Sequence, residues 1–232
     1  MTKNLIQPAI YALAVSLALS ALFFAAFFMA EPTIGHGQET ASSTFYIRQT
    51  ITDESSFSTE PVNVDMVGTI NGVTGGAATG TTQFVVQSNN AAGYYVEIDF
   101  EYNANNEAMV GDESDSEAIR DYDGDVGGQP SVGFIASSSA SMFAYTVMSS
   151  SSLDTDQSFF NNGAACNNPG SQATLCWKSP EASGFRIVDT ADAAVDGATS
   201  TIFFHVDVPS GATPVPQAET YTATATLSLF VK

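Results

Sequence analysis

Basic residues are scarce. Six Lys and Arg stand against 25 Asp and Glu in 232 residues, a formal net charge of −19. A field of that sign repels phosphate backbones and anionic headgroups, which excludes a nucleic-acid binder. It favours solubility and attracts cations. The histidines are His36 and His205, far in sequence from Cys166 and Cys176, so a zinc ligand set is not in view. The cysteines are not spaced C-x-x-C as a redox pair would be. Also missing are the G-x-S-x-G elbow, H-E-x-x-H and the P-loop. The glycines from Gly68 to Gly80 lead into a strand pattern, whereas a phosphate cradle needs a helix start. Trp177 is the one tryptophan and it adjoins Cys176, which suits packing over a disulfide better than lining a sugar cleft. Paired carboxylates doing glycosidase chemistry would need such a cleft, so a secreted hydrolase ranks last among the readings and no catalytic residue is assigned. A self-formed isopeptide bond needs a buried lysine, and only Lys178 and Lys232 lie outside the leader. The sequence does not support one.

What is present begins with a long apolar run. No residue from Asn4 to Ala30 is charged, and Ala9 to Met29 is broken only by Ser16 and Ser20. A run of that length crosses the hydrocarbon core as a helix. Lys3 supplies the positive flank that keeps the N-terminus inside. Residues 1–30 therefore read as a signal peptide or a transmembrane anchor, with the membrane as a partner. Cleavage after Ala30 would place bulky Phe28 at the −3 position, against the small-x-small exit of a leader, and this favours an anchor. Either way the rest of the chain is extracellular or cell-surface.

Residues 31–43 are small and polar and read as a linker. Strand signals then continue over 44–232. Phe45 to Ile51 and Val62 to Val67 alternate apolar and polar residues. Thr82 to Ser88, the turn residues Asn89, Asn90 and Gly93, and Tyr94 to Tyr102 read as a β-hairpin. In its second arm Tyr94, Val96, Ile98 and Phe100 face a core, with Glu97, Asp99 and Glu101 in water. Further strands are expected at 143–148, 184–188 and 199–208. One long strand, Tyr221 to Val231, follows a Pro-rich loop at 209–218. The prediction is an all-β fold: an antiparallel β-sandwich or jelly roll, preceded by an N-terminal hydrophobic helix. An acidic insertion occupies about 103–130, with room for a short helix around 114–121.

Two sites stand out. Cys166 and Cys176, an even count in an exported chain, read as a disulfide. Asp112, Asp121, Asp123 and Asp125 belong to the acidic run, and Asp121-Tyr-Asp-Gly-Asp spaces carboxylates as calcium loops do. The EF-hand pattern then fails at Val126 and Val132. Calcium is the one cofactor the pattern suggests, and a solvated acidic loop is the competing reading.

Several stretches carry a resemblance: Thr44 to Thr52, Asp65 to Gly80, Val86 to Tyr94, Ala165-Cys-Asn, Cys176-Trp and Glu219 to Leu227. Together they resemble secreted surface β-sandwich proteins of candidate-phyla, ultra-small bacteria, from which no functional residue carries over. The last strand and its Gly- and Pro-rich approach resemble the end of spore-coat-U and fimbrial-subunit sandwiches, which assemble by lending a strand to a neighbour. The functional expectation is an exported cell-surface structural or adhesive protein that associates with copies of itself. A non-catalytic carbohydrate- or calcium-binding module, with surface glycans as partners, is the alternative.

Overall fold

The computed structural model describes residues 6–29, 45–103, 105–114, 116–151, 154–168, 172 and 174–232. The expected linker at 31–43 and Ala30 lie outside them. The chain divides into two compact units, Met1–Thr50 and Ile51–Lys232. The first holds one helix, α1 (Ile6–Met29). Its stretch Ile10–Phe27 has a mean hydropathy of 2.2 and is long and apolar enough to cross a membrane, a description that a signal sequence also meets.

Among the described residues, the regular structure of the second unit is strands, apart from a 3-10 turn at Gln157–Phe159. In chain order they are β1 (Ser55–Thr59), β2 (Val67–Gly68), β3 (Gly76–Ser88), β4 (Tyr94–Phe100), β5 (Met109–Gly111), β6 (Ala118–Asp121), β7 (Ser131–Val132), β8 (Met142–Ser149), β9 (Cys176–Trp177), β10 (Phe185–Thr190), β11 (Ala194–Val208), β12 (Tyr221–Ala223) and β13 (Ala225–Val231). The large sheet runs β1-β3-β11-β8-β6-β5-β12, with β2 also on β3; β10-β4-β13 forms a second sheet and β7-β9 a third. Between these strands pairing is antiparallel except for β6 with β8.

Period-2 patterning explains how the sheets meet. Tyr94, Val96, Ile98 and Phe100 of β4 are buried as expected. They share one core with Phe84 and Val86 of β3, Tyr145 and Val147 of β8, and Ile202 and Val206 of β11. Burying a side chain of this size contributes about 1.5–3 kcal/mol, so the facing apolar rows hold the two sheets together.

Several expectations need correction. Phe45 to Ile51 is not a strand: residues 45–54 carry no regular structure, and Phe45, Tyr46 and Ile47 are 76, 79 and 88 % exposed. Val62 to Val67 pairs only at its last residue, where Val67 opposes Thr79. Residues 118–121, read as part of a short helix, are strand β6, and β5 and β6 of the acidic segment belong to the large sheet.

The expected hairpin around Asn89–Gly93 is instead an arch. β3 lies in the large sheet, while β4 pairs with β10 and β13. The turn chemistry is as read: Gly93 has φ 88°, its N–H donates to Asn90 O at 3.1 Å, and Asn90 Oδ1 accepts from Ala92 N–H at 2.9 Å. Those bonds bend the chain without choosing a partner. The expected strand Tyr221 to Val231 is likewise two. β12 pairs with β5 and β13 with β4. At the break Thr224 O accepts the Glu101 N–H at 3.0 Å.

Candidate functional site

The acidic residues singled out from the sequence do not converge. Asp112 and Asp123 are exposed. Asp121 ends β6, where Oδ1 accepts the Ala108 N–H at 3.1 Å, while the nearby Tyr102 hydroxyl donates to Pro180 O at 2.6 Å. Burial pushes Asp121 up to about 6, and Glu107 alongside adds to the shift. Asp125 turns to other partners: Oδ2 lies 2.7 Å from Lys178 Nζ and Oδ1 accepts the Ser179 N–H at 3.1 Å. Among the described residues no group of three or more His, Cys, Asp or Glu is placed to hold a metal ion. Asp121 and Asp125 turn to different partners, Asp121 to the Ala108 N–H and Asp125 to Lys178 and the Ser179 N–H, while Asp123 is exposed.

The raised Asp121 gives a test. Its ordinary value is 3.8. Below about pH 4 it is protonated both folded and unfolded, so it costs nothing. Through the window from about 4 to about 6 the unfolded chain ionises first, and stability falls as pH rises. Asp121→Asn keeps an oxygen acceptor for Ala108 and removes that loss. We expect it to stabilise the protein by about 1–2 kcal/mol at about pH 7.5, allowing for partial exposure, and by almost nothing at about pH 4. Urea unfolding of both proteins at the two pH values checks this; equal gains at both would refute it.

Cys166 and Cys176 are bonded, with Cα atoms 6.2 Å apart. Cys176 faces the main core. Its neighbour Trp177 faces the other way, as successive residues of a strand must. Trp177 is therefore not packed over the disulfide. It joins a second cluster with Tyr122, Met142 and Ala144. There its ring meets Phe134 at 5.8 Å and His205 at 5.5 Å. Burial lowers the pKa of His205, which acts as a packing residue.

Two features were not read from the sequence. The first is Lys178. It is 1 % exposed, yet it carries an ammonium group into the interior. Its Nζ also lies 3.4 Å from Glu181 Oε2 and 4.8 Å from the centre of the Phe185 ring. Lys178 and Tyr145 exchange both backbone hydrogen bonds, at 3.0 and 2.8 Å, as an antiparallel pair. Such a pair puts both side chains on one face. The Tyr145 hydroxyl is fully buried and has no hydrogen-bond partner among the described residues. It lies in the field of Glu181 and Asp125, which with burial pushes its pKa well up. A lone Lys after Cys-Trp gives no periodic signal of burial.

The second is a cavity of about 1200 Å³ that opens between the two sheets. Its floor is core: Ile98, Phe100, Phe143, Ile202 and Val206. Its rim is partly exposed, with Val62, Met66 and Val73 on one side and Val215, Ala225 and Leu227 on the other. β13 borders it as the last strand of its sheet, paired to β4 alone. β1 approaches β13 but does not pair with it. The cavity is legible only once Tyr221 to Val231 is known to switch sheets.

Comparison with protein-family models, with curated proteins and with solved structures finds no match to this chain.

Proposed function

We propose that this chain is an exported cell-surface structural or adhesive protein whose copies associate by strand addition. The observation that carries the reading is the apolar cavity beside the unpaired edge of β13. An added strand would satisfy the free backbone groups of that edge while alternate side chains fill the groove. The apolar α1 and the Cys166–Cys176 bond accord with an exported or membrane-associated protein, since disulfides persist in oxidising compartments.

The occupant we assign is Phe45–Ile51 of a second copy. Phe45, Ile47 and Ile51 alternate with Tyr46, Arg48 and Thr50, and Phe45, Ile47 and Ile51 are exposed. Seven extended residues span about 23 Å, the length of the seven-residue β13. Glu54 N–H and Thr52 O are bonded to the Asn89 side chain, so the chain enters the strand unit at the Ser88 end of β3. Natural edges are protected by charge or proline, and β13 has neither.

A glycan platform finds less support. The outer face of the small sheet carries one aromatic pair, Tyr95 and Phe230, stacked at 4.8 Å, and the Arg186 guanidinium already covers Tyr95 at 4.0 Å.

The test is analytical ultracentrifugation of the full chain in mild detergent, wild type against Phe45→Asp/Ile47→Asp. We expect wild-type protein to form high-mass species and the double variant to stay monomeric with an unchanged unfolding midpoint. A monomeric wild type, or assembly equal in both, overturns the reading. A monomeric wild type that the double substitution destabilises would instead place the segment in its own groove.

A further inference from the structure

We propose that Lys178 and Asp125 become joined by an amide between their side chains, with Glu181 carrying the proton and the Tyr145 hydroxyl serving the new carbonyl oxygen. The sequence offered only two lysines for such a bond, and the structure buries one of them against a carboxyl group.

Four observations support it. The contact is close: Lys178 Nζ lies 2.7 Å from Asp125 Oδ2, which puts the carboxyl carbon about 3.5 Å from the nitrogen, a near-attack separation. The pair is dry. The Lys178 and Asp125 side chains are 2 % and 13 % exposed, the Phe185 ring lies against the ammonium, and burial penalises the charged form of an acid. The direction for Asp125 agrees, since burial raises its pKa despite Lys178. A third group is in reach, because Glu181 Oε2 lies 3.4 Å from the same nitrogen. Lastly, Tyr145 holds a buried hydroxyl with no partner among the described residues, on the face that Lys178 shares. Buried polar groups are nearly always satisfied, so an orphan invites a functional account. A donor there would stabilise charge developing on the carboxyl oxygen.

The reaction balances without an oxidant or cofactor. The Lys178 ammonium gives one proton to Asp125, leaving a neutral amine and a neutral acid. The nitrogen lone pair attacks Cγ of Asp125, and the Nζ–Cγ bond forms. As it forms, the Glu181 carboxylate takes a second proton from the nitrogen. Glu181 then passes that proton to the departing hydroxyl, the Cγ–O bond breaks, and one water leaves. Glu181 is regenerated. The product is neutral, which removes the desolvation penalty that a buried ion pair carries.

The bond would be a covalent tie between the segment after β6 and the segment after β9, bridging 53 positions. It is independent of assembly, so either proposal can fail alone.

Intact mass of the reduced, denatured full chain decides the matter. We expect a mass lower than the sequence mass by one water, about 18 Da, and a digest in which the peptides holding Asp125 and Lys178 travel as one. Lys178→Ala and Asp125→Ala should each restore the full mass. Glu181→Ala should leave most of the chain unlinked at early times. Asp125→Asn should instead lose ammonia, about 17 Da, because the leaving group changes. A wild-type protein with the full sequence mass after prolonged incubation overturns the proposal, whether or not the variants fold.

Discussion

Asp125→Ala lowers the stability of the domain by about 3–5 kcal/mol, which is a large part of the 5–15 kcal/mol typical of a folded domain. Lys178 is held at 1 % exposure, and Asp125 is its nearest counter-charge at 2.7 Å. Alanine at 125 leaves the ammonium with Glu181 at 3.4 Å, a carboxylate whose own side chain is 30 % exposed. It also strips the Ser179 N–H of its acceptor. In the variant the Lys178 ammonium is left buried without that partner, which is costly whether the wild type holds Asp125 as an ion or as an amide. The control sits two residues away. Asp123 is exposed, and Asp123→Ala should change stability by less than about 0.5 kcal/mol. Guanidinium denaturation of the three proteins separates the cases. Equal midpoints for Asp123→Ala and Asp125→Ala would mean that Lys178 does not depend on Asp125.

Gly93→Ala is the second large effect, with an expected loss of about 3 kcal/mol or more. Two costs add. Gly93 has φ 88°, a conformation that disfavours any residue with a Cβ. A Cβ there would also stand 2.0 Å from Thr190 O and 2.7 Å from Ala191 Cα. Both atoms are backbone, so no side chain can rotate away. Gly127, with φ 63° and nothing within 4 Å of a built Cβ, isolates the first cost, and Gly127→Ala should lose only about 1 kcal/mol. Thermal unfolding of the two variants checks the ordering. A Gly93→Ala protein as stable as Gly127→Ala would show that the Thr190–Ala191 backbone yields to the methyl group.

The same turn shows where sequence reasoning stops. The β4 face Tyr94, Val96, Ile98 and Phe100 is readable because alternation records which side meets a core. Alternation does not record which strand lies alongside. A hairpin and an arch both need Asn89, Asn90 and Gly93, so β3 and β4 read as neighbours while the structure places them in opposite sheets. Tyr221 to Val231 fails for the same reason. Its period continues unbroken through Thr224, where the chain changes sheets. Phe45 to Ile51 has a clear strand pattern before β3, yet it is exposed and carries no regular structure, because alternation alone does not supply a strand to pair with. The disulfide was legible from count and context. Lys178 was not, because burial of a single charge depends on Asp125, 53 positions away, and leaves no periodic trace.

Asn89 and Asn90 hold the two ends of the strand unit at one place. Asn89 bonds the backbone of Thr52 and Glu54, Asn90 Nδ2 donates to Lys232 O at 3.0 Å, and Lys232 N–H donates to Gly93 O at 3.2 Å. β1 starts opposite Ser88 and β13 ends opposite Tyr94. Tension applied between these ends therefore enters both outer strands at their tips and runs across the sheets. The hydrogen bonds of β1 to β3 and of β13 to β4 would break one after another, as a zipper opens, where a load applied along the strands would have to break each row at once. A pull on one end alone, resisted at the far loops, meets those rows lengthwise. The unit is thus mechanically weak when drawn out by its own two ends and strong when it bears load from one end through its body.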